Sequence, residues 1–97
     1  MAHATWTDAA KADLRGIAWY IVDRDQRRRV ARKVTREIRE KCDHYARHPL
    51  TGTSRTEFGE GCRLGVHSRW VILYRPTGDG IEVLRIFDGA EDYESLF

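Results

Sequence analysis

The stretch that decides the fold is Trp70–Phe97, which reads WVILYRPTGDGIEVLRIFDGAEDYESLF. Two apolar runs, Trp70–Arg75 and Ile81–Phe87, flank the linker Pro76–Gly80. β-branched and aromatic residues favour strands, whereas Pro and paired Gly mark turns. The pattern predicts a β-hairpin whose turn is slightly longer than the two-residue minimum, followed by a short acidic tail after Asp88.

A third strand is predicted just before the hairpin. Cys62–His67 alternates apolar and polar residues, which is typical of a half-buried strand, and Ser68-Arg69 forms a tight turn into the next strand. The preceding connector, Leu50–Gly61, is polar and is predicted to be an ordered loop with Phe58 turned inward. Because short turns join the three strands, we expect them to pair antiparallel in sequence order.

Two amphipathic stretches in the first half predict helices. Asp8–Val22 places apolar residues at three- and four-residue steps, with Thr7 as its predicted N-cap. Trp19 and Tyr20 lie off this stripe, and we expect them to add core contacts. Gln26–Arg47 is the second predicted helix. Its apolar stripe is formed by Val30, Val34, Ile38, Cys42 and Tyr45.

The remaining segments complete the element order. A brief strand is predicted within Met1–Thr7, and Asp23–Asp25 reads as the turn of an αα-hairpin, with Asp25 capping the second helix. Pro49 ends that helix, because the residue before a proline is pushed out of helical space. The order is therefore strand, helix, helix, strand, strand, strand.

Both helices have to bury an apolar stripe, and one face of the sheet is the surface available to them. We therefore expect a two-layer α+β fold in a single domain spanning residues 1–97, in which the helical hairpin packs on a mainly antiparallel sheet. A short helical turn is expected at the C-terminus.

Composition excludes several classes of function. The chain has 97 residues and no apolar run of membrane-spanning length or signal-peptide pattern, so we expect a cytoplasmic protein with no membrane partner. Cys42, His44 and His48 are the only grouping that resembles a metal site. No second ligand pair follows them at finger-like spacing, and core and surface positions explain them better. We expect no metal and no cofactor.

The net charge of +2 hides an uneven distribution. Residues 24–47 hold ten Lys or Arg against four Asp or Glu, whereas residues 76–97 hold six acids and one Arg. A basic middle segment suits an acidic partner or nucleic acid. It is also what a solvated helix face looks like, and this is the more common explanation.

Strand alternation sorts the hairpin into two faces but does not say which one meets the helices. One face is predicted to carry Val71, Leu73, Leu84 and Ile86, and the other Trp70, Ile72, Tyr74, Ile81, Val83, Arg85 and Phe87. A face with aromatic and Arg side chains suits nucleic acid or a protein partner. Packing of Trp70 and Tyr74 in the core is an equally good interpretation.

The chain resembles the RelE/ParE superfamily of bacterial toxins, and the ParE branch most closely. The resemblance spans nearly the whole chain, and the order and spacing of its motifs carry it. The matching stretches are Thr7–Ala10, Asp13-Leu14, Ile17, Tyr20-Ile21, His48–Gly52, Gly61–Arg63, Trp70–Arg75, Ile81–Ile86, Asp88–Asp92 and Leu96-Phe97. The family fold has the same order: an N-terminal strand, a helical hairpin and three further antiparallel strands.

The resemblance implies the toxin of a type II toxin–antitoxin (plasmid stabilisation) system, neutralised by a cognate antitoxin. In the ParE branch the implied target is DNA gyrase, which is inhibited by binding. In the RelE branch the toxin is an endoribonuclease that cuts messenger RNA on the ribosome. A detoxified member that only binds its partner is a third possibility.

The residues present favour the binding toxin. RNA cleavage needs a base, an acid and cations for the phosphate. If the chain is a ribonuclease, Arg63 and Arg85 would hold the phosphate, and His67 or Tyr93 would transfer protons. No Lys follows Lys41, and Arg stays protonated, so it is a poor proton-transfer group. We therefore expect no catalytic residues, and no direct binding of nucleic acid unless the ribonuclease alternative holds.

A partner is expected on the basic helix or on the sheet. An acidic antitoxin tail would find the second helix, or would add a strand to an exposed sheet edge. The predicted partner-binding residues are Arg28, Arg29, Arg32, Arg36, Arg63, Trp70, Tyr74, Arg85, Glu91 and Asp92. The late family motif commonly reads Gly-Ala-Arg-Asp. Here Glu91 replaces that Arg, which reverses a charge beside the predicted sheet surface.

Overall fold

The chain forms two helices and a five-stranded sheet. The computed structural model describes residues 2–25 and 27–89; the predicted C-terminal helical turn, with Glu91, Asp92 and Tyr93, lies outside them. The elements are β1 (His3–Trp6), α1 (Asp8–Asp25), α2 (Arg28–Arg47), β2 (Thr53–Ser54), a 3-10 turn (Thr56–Phe58), β3 (Arg63–His67), β4 (Trp70–Thr77) and β5 (Gly80–Asp88).

The sheet has the strand order β1-β5-β4-β3-β2. β1 pairs parallel with β5, and the other neighbours pair antiparallel. The expected two-layer α+β arrangement and element order are confirmed. The connector predicted to be a loop contributes one extra short strand, because Thr53 and Ser54 pair with Leu64 and Arg63.

The hairpin turn between β4 and β5 is shorter than predicted. Thr77 pairs with Gly80, which leaves only Gly78 and Asp79 as the turn. Pro76 is therefore part of β4. It is tolerated there because β3 pairs with β4 only as far as Tyr74, so no neighbour needs a donor at position 76.

An extra residue in β5 alters the faces of the hairpin. Leu73 pairs with Arg85, whereas the next residue, Tyr74, pairs with Val83, so that Leu84 is inserted. Such a bulge shifts the alternation by one residue. From Arg85 onward the predicted faces are therefore wrong: Ile86 packs with the helices, and Phe87 packs on the opposite side of the sheet.

The helical hairpin differs from prediction mainly at its turn. α1 runs to Asp25, and the N-cap position of α2 is Arg27, without a side-chain cap, so the predicted cap by Asp25 is wrong. At the other end of α1 the predicted cap is confirmed, because the Ala10 amide donates to Thr7 Oγ1 at 3.0 Å. In α2, Ala31 is buried in place of the predicted Val30.

Apolar residues pack on both faces of the sheet. Helix residues such as Leu14, Ile38 and Tyr45 cover one face, where they form the main core. The other face carries a smaller buried cluster: Cys62, Leu64, Val71, Leu73 and Phe87. Phe58 packs against this cluster, as predicted for the connector. Neither α1 nor α2 is long and apolar enough to cross a membrane.

Candidate functional site

Arg63, Arg85 and His67, the described residues among those predicted for RNA cleavage, do not converge. Arg63 pairs across the sheet with Tyr74, and Arg85 pairs with Leu73. Cross-strand partners share a face, and successive residues of a strand point to opposite faces. The side chains of Arg63 and Arg85 therefore leave the backbone on opposite faces of the sheet. His67 is four residues from Arg63 along β3, which is about 13 Å at the usual strand rise.

Arg63 fixes the segment that follows α2. Its Nη1 donates to the carbonyl oxygen of Gly52 at 2.7 Å and to that of Leu50 at 3.3 Å. These two bonds hold the chain as it turns from the helix toward β2. The Arg63 guanidinium therefore stabilises the neighbouring backbone, which is the role of a structural residue rather than of a phosphate ligand.

Arg85 and Asp13 join β5 to α1. Asp13 accepts from Arg85 Nε at 2.8 Å and from Arg85 Nη2 at 3.1 Å. The same carboxylate accepts from the backbone amide of Ile86 at 2.8 Å. β1 pairs with β5 only through Val83, so Asp13 satisfies a donor on the edge that β1 leaves uncovered. The side chain of Asp13 is 16% exposed.

His67 contacts α2. Its Nε2 lies 3.0 Å from Glu37 Oε2, and both side chains are partly exposed. Glu37 also lies 4.0 Å from Lys33. The Glu37 carboxylate thus contacts both Lys33 on α2 and His67 on β3. Tyr93, the other predicted proton-transfer group, lies outside the described residues.

Trp70 and Tyr74 belong to the core, which corrects their prediction as partner contacts. Their exposed fractions are 6% and 0%, because both lie beneath the helices. The Tyr74 ring stacks on Tyr45 with centroids 4.9 Å apart. Its hydroxyl donates to the Pro49 carbonyl at 2.6 Å and accepts from the Gly52 amide at 2.9 Å. Burial raises the pKa of this hydroxyl.

The cysteine and histidine grouping on α2 forms no metal site. Cys42 is completely buried, and burial raises the pKa of its thiol to about 12. A thiol that stays protonated is a poor metal ligand. Within residues 2–25 and 27–89, no three potential ligands come together.

The four arginines predicted on α2 differ in whether they border the space between the two helices. Arg28 and Arg32 line a groove between the two helices. Arg29 and Arg36 are also exposed but do not line it, and Arg36 lies 3.7 Å from Glu40.

This seam groove runs along the outer junction of α1 and α2. Its floor consists of buried or half-buried residues: Trp6, Leu14, Ala18, Val22, Ala31 and Thr35. Exposed cations form its rims, namely Lys11, Arg15, Arg28, Arg32 and Arg39, and Asp23 lies at the end near the helix turn. The central section holds about 460 Å³. It shares Arg15 and Ala18 with the section toward β1, and Trp19 with the section toward the turn.

Trp19 is the residue of this surface that sequence reasoning missed. Its side chain was expected in the core, but the residue is 72% exposed. The buried residues of α1 are Ala10, Leu14, Ile17 and Ile21, and position 19 falls two residues from the nearest of them. Residues two apart on a helix do not share a face, so this spacing could have predicted that Trp19 is exposed. Tyr20 is also exposed, at 46%.

Comparison with known proteins identifies relatives of the whole domain. The family described as "ParE toxin of type II toxin-antitoxin system, parDE" matches residues 4–93. Among solved structures, a chain of the chromosomal ParDE TA system from P. aeruginosa is 26% identical and superposes with a TM-score of 0.75. The match covers 91% of this chain and 96% of that one. No curated protein sequence matches.

Proposed function

The chain belongs to the ParE toxins of type II toxin–antitoxin systems, and from that premise we propose that it inhibits DNA gyrase by binding and is neutralised by a cognate antitoxin. A ParDE system pairs such a toxin with an antitoxin. Gyrase is the target that the resemblance to the ParE branch implies. The cytoplasm, where gyrase acts on DNA, is the proposed site of action.

The observation that supports binding over cleavage is the separation of the candidate catalytic side chains. Arg63 and Arg85 start from opposite faces, and each is engaged by neighbouring backbone or carboxylate groups. His67 lies beside Glu37 on α2. General acid–base catalysis needs its groups within hydrogen-bond reach of one reacting phosphate. Among the described residues, no such set is assembled around one point.

The test is a gyrase assay with purified chain. We expect it to inhibit supercoiling by gyrase and to trap cleaved DNA complexes, and we expect the purified antitoxin to reverse both effects. Total RNA from cells expressing the chain should show no new transcript cuts. Transcript cutting together with unaffected gyrase would contradict the proposal.

A single substitution tests the departure from the family motif. Glu91 replaces the family's Arg and reverses a charge, so Glu91→Arg is expected to inhibit gyrase at a lower concentration than the wild-type chain. Glu94→Arg makes the same charge change three residues away and serves as the matched control. Equal inhibition by both variants would show that net charge, and not position 91, determines the effect.

A further inference from the structure

We propose that residues 90–97 pack on the face of the sheet opposite the helices, where they cover the side formed by β4 and β5. This second face carries Cys62, Leu64, Val71, Leu73 and Phe87. The proposal concerns the chain alone, so it does not depend on gyrase or on an antitoxin. It assigns an occupant to an apolar surface that the helices leave uncovered.

The second face is buried although no helix of the described chain lies on it. Both α1 and α2 pack on the first face. Leu73 and Phe87 are nevertheless only 1% and 3% exposed, and Val71 is buried as well. Arg85 lies over the Phe87 ring, 5.4 Å from its centroid, but one guanidinium is too small to cover side chains from two strands. Because an apolar sheet face is removed from water by a second layer of protein, a further segment has to lie here.

The connector between α2 and β3 covers the other end of this face. Phe58 packs there, and Cys62 Sγ donates to its carbonyl oxygen at 3.6 Å. Cys62 is four residues from Val66, which is about 13 Å at the usual strand rise. Val66, Val71 and Phe87 form one row across three strands, because Val71 pairs with both of the others. Val66 is 59% exposed, so the cover of this row is confined to β4 and β5.

The last described residue lies beside that row. The Gly89 amide donates to the Arg69 carbonyl oxygen at 2.6 Å, which holds Gly89 at the end of the hairpin. A Cβ at Gly89 would lie 3.6 Å from Val71 Cγ2, so the backbone is at the second face where residue 90 follows. Eight extended residues reach about 26 Å, whereas β5 and β3 are about 10 Å apart. Residues 90–97 are therefore long enough to lie across the face.

The sequence of residues 90–97 suits a covering segment. It reads AEDYESLF, and its large apolar residues are Tyr93, Leu96 and Phe97. Spacings of three and four place these side chains on one side of a helical turn. On the second face they would be removed from water, which is the main favourable term in such packing. Three of the other five positions are acidic, as is typical of the side that faces solvent.

Charge and tethering favour this segment over other occupants. Arg75 follows Tyr74, which faces the helices, so alternation places Arg75 on the second face, and Arg85 contacts Phe87 there. Both cations complement the acids of the segment. They also contact Glu82 and Asp13, so we expect charge to orient the segment and apolar contact to hold it. A segment attached directly to Gly89 has an effective concentration of about millimolar, and a second copy or a separate partner has to compete with it.

The experiment measures access to this face with a thiol introduced by Val71→Cys. Iodoacetamide alkylates accessible thiols, and mass spectrometry of proteolytic peptides gives the rate at each position. The two native thiols serve as references, because Cys42 lies under the helices and Cys62 lies under the connector. The three rates therefore report separately on three parts of the molecule.

Two double variants in this background test the segment. Leu96→Ser/Phe97→Ser removes its apolar groups, and the matched control, Trp19→Ser/Tyr20→Ser, removes two neighbouring exposed side chains from α1. With the native segment, the thiol at position 71 should react at least about 100-fold more slowly than free cysteine. We expect Leu96→Ser/Phe97→Ser to accelerate that reaction at least about 10-fold. The native thiols, and all three thiols in the control, should stay within about twofold.

A second measurement uses the unaltered chain. Nuclear Overhauser effects are expected between the Phe97 ring and the methyl groups of Val71 or Leu73, and their absence would overturn the proposal. Unchanged alkylation at position 71 in Leu96→Ser/Phe97→Ser would overturn it too. A rate at position 71 that falls as the protein concentration rises would identify a second copy as the cover. Equal acceleration at all three thiols would mean that the variant has lost its fold, and the Overhauser effects of the unaltered chain then decide.

Discussion

Two glycines make room for a pair of stacked tyrosine rings beneath α2. A Cβ at Gly65 would collide with the ring of Tyr45, and a Cβ at Gly52 would collide with the hydroxyl of Tyr74. The ring planes are inclined by only 20°, so each ring buries a face of the other. Tyr74 thereby reaches the segment after α2 and satisfies two of its backbone groups.

Tyr74→Phe tests how much those two hydrogen bonds contribute. The ring stays stacked on Tyr45, but the Pro49 carbonyl and the Gly52 amide lose their partner. Leaving buried polar groups unsatisfied costs about 1–3 kcal/mol each, so we expect the free energy of unfolding to fall by about 2–4 kcal/mol. Urea denaturation measures it. Tyr20→Phe, on the exposed side of α1, should change it by less than about 1 kcal/mol.

At the scale of elements, one carboxylate adds a polar link between α1 and β5 to the apolar packing between them. Asp13 binds the Arg85 guanidinium through both oxygens and also caps the Ile86 amide. The Thr7 hydroxyl donates to the Leu84 carbonyl at 2.8 Å, one step earlier along the same edge. Together these bonds continue the edge pairing of β5 after β1 has ended.

Asp13→Ala should therefore loosen this edge. A largely buried charged hydrogen bond and a backbone donor lose their acceptor, and we expect a loss of about 2–4 kcal/mol in the free energy of unfolding. Hydrogen exchange at the Ile86 amide should accelerate more than at the Ile72 amide in the neighbouring strand. Asp43→Ala, at an exposed position of α2, is the control and should change stability by less than about 0.5 kcal/mol. Unchanged exchange at Ile86 would contradict this assignment.

At the scale of the whole molecule, a buried thiol and buried tyrosine hydroxyls make the free energy of unfolding depend on pH in the alkaline range. Burial raises the pKa of the Cys42 thiol from 9.0 to about 12, and it also raises the pKa of the Tyr45 and Tyr74 hydroxyls above 10.0. Above pH 9 the unfolded chain loses these protons before the folded chain does. The stabilisation is therefore complete below pH 9 and is lost as the pH rises toward 12.

Unfolding in urea at pH 8, 9, 10 and 11 measures this dependence. We expect the free energy of unfolding to fall steadily above pH 9. Cys42→Ala removes the group with the largest stated shift, so the variant should be less stable at pH 8 but should lose stability less steeply between pH 9 and 11. Parallel slopes for the variant and the wild-type chain would show that Cys42 does not contribute.

Periodicity predicted the elements well because each one buries a regular stripe. The Thr7 cap, the stripe through Ile38 and Tyr45, and the three antiparallel strands all follow from local residue types. The parallel pairing of β1 with β5 does not, because it joins residues nearly eighty positions apart. The insertion of Leu84 could not be predicted either, because a bulge does not change the composition of the strand. It nevertheless reverses the faces on which Ile86 and Phe87 lie.

The surface available to a partner was harder to predict than the fold. Arginines on the sheet look available in the sequence, yet Arg63 and Arg85 are held by backbone carbonyls and by Asp13. On α2, Arg28 and Arg32 lie one turn apart and line the groove, whereas Arg29 does not, and only the position of α1 distinguishes them. Which charges remain for a partner therefore depends on tertiary contacts that no local pattern encodes.

Some positions of the chain stabilise the fold, whereas others, such as the cations on the rims of the groove, can vary. Among the described residues, the five rim cations form no ion pair, whereas Asp13, Arg63 and Tyr74 tie elements together. Substitutions along the rims can therefore accumulate with little effect on folding. Such changes would leave the fold intact while they alter the charge that this surface presents to any partner, because binding specificity can change at positions that contribute little to stability.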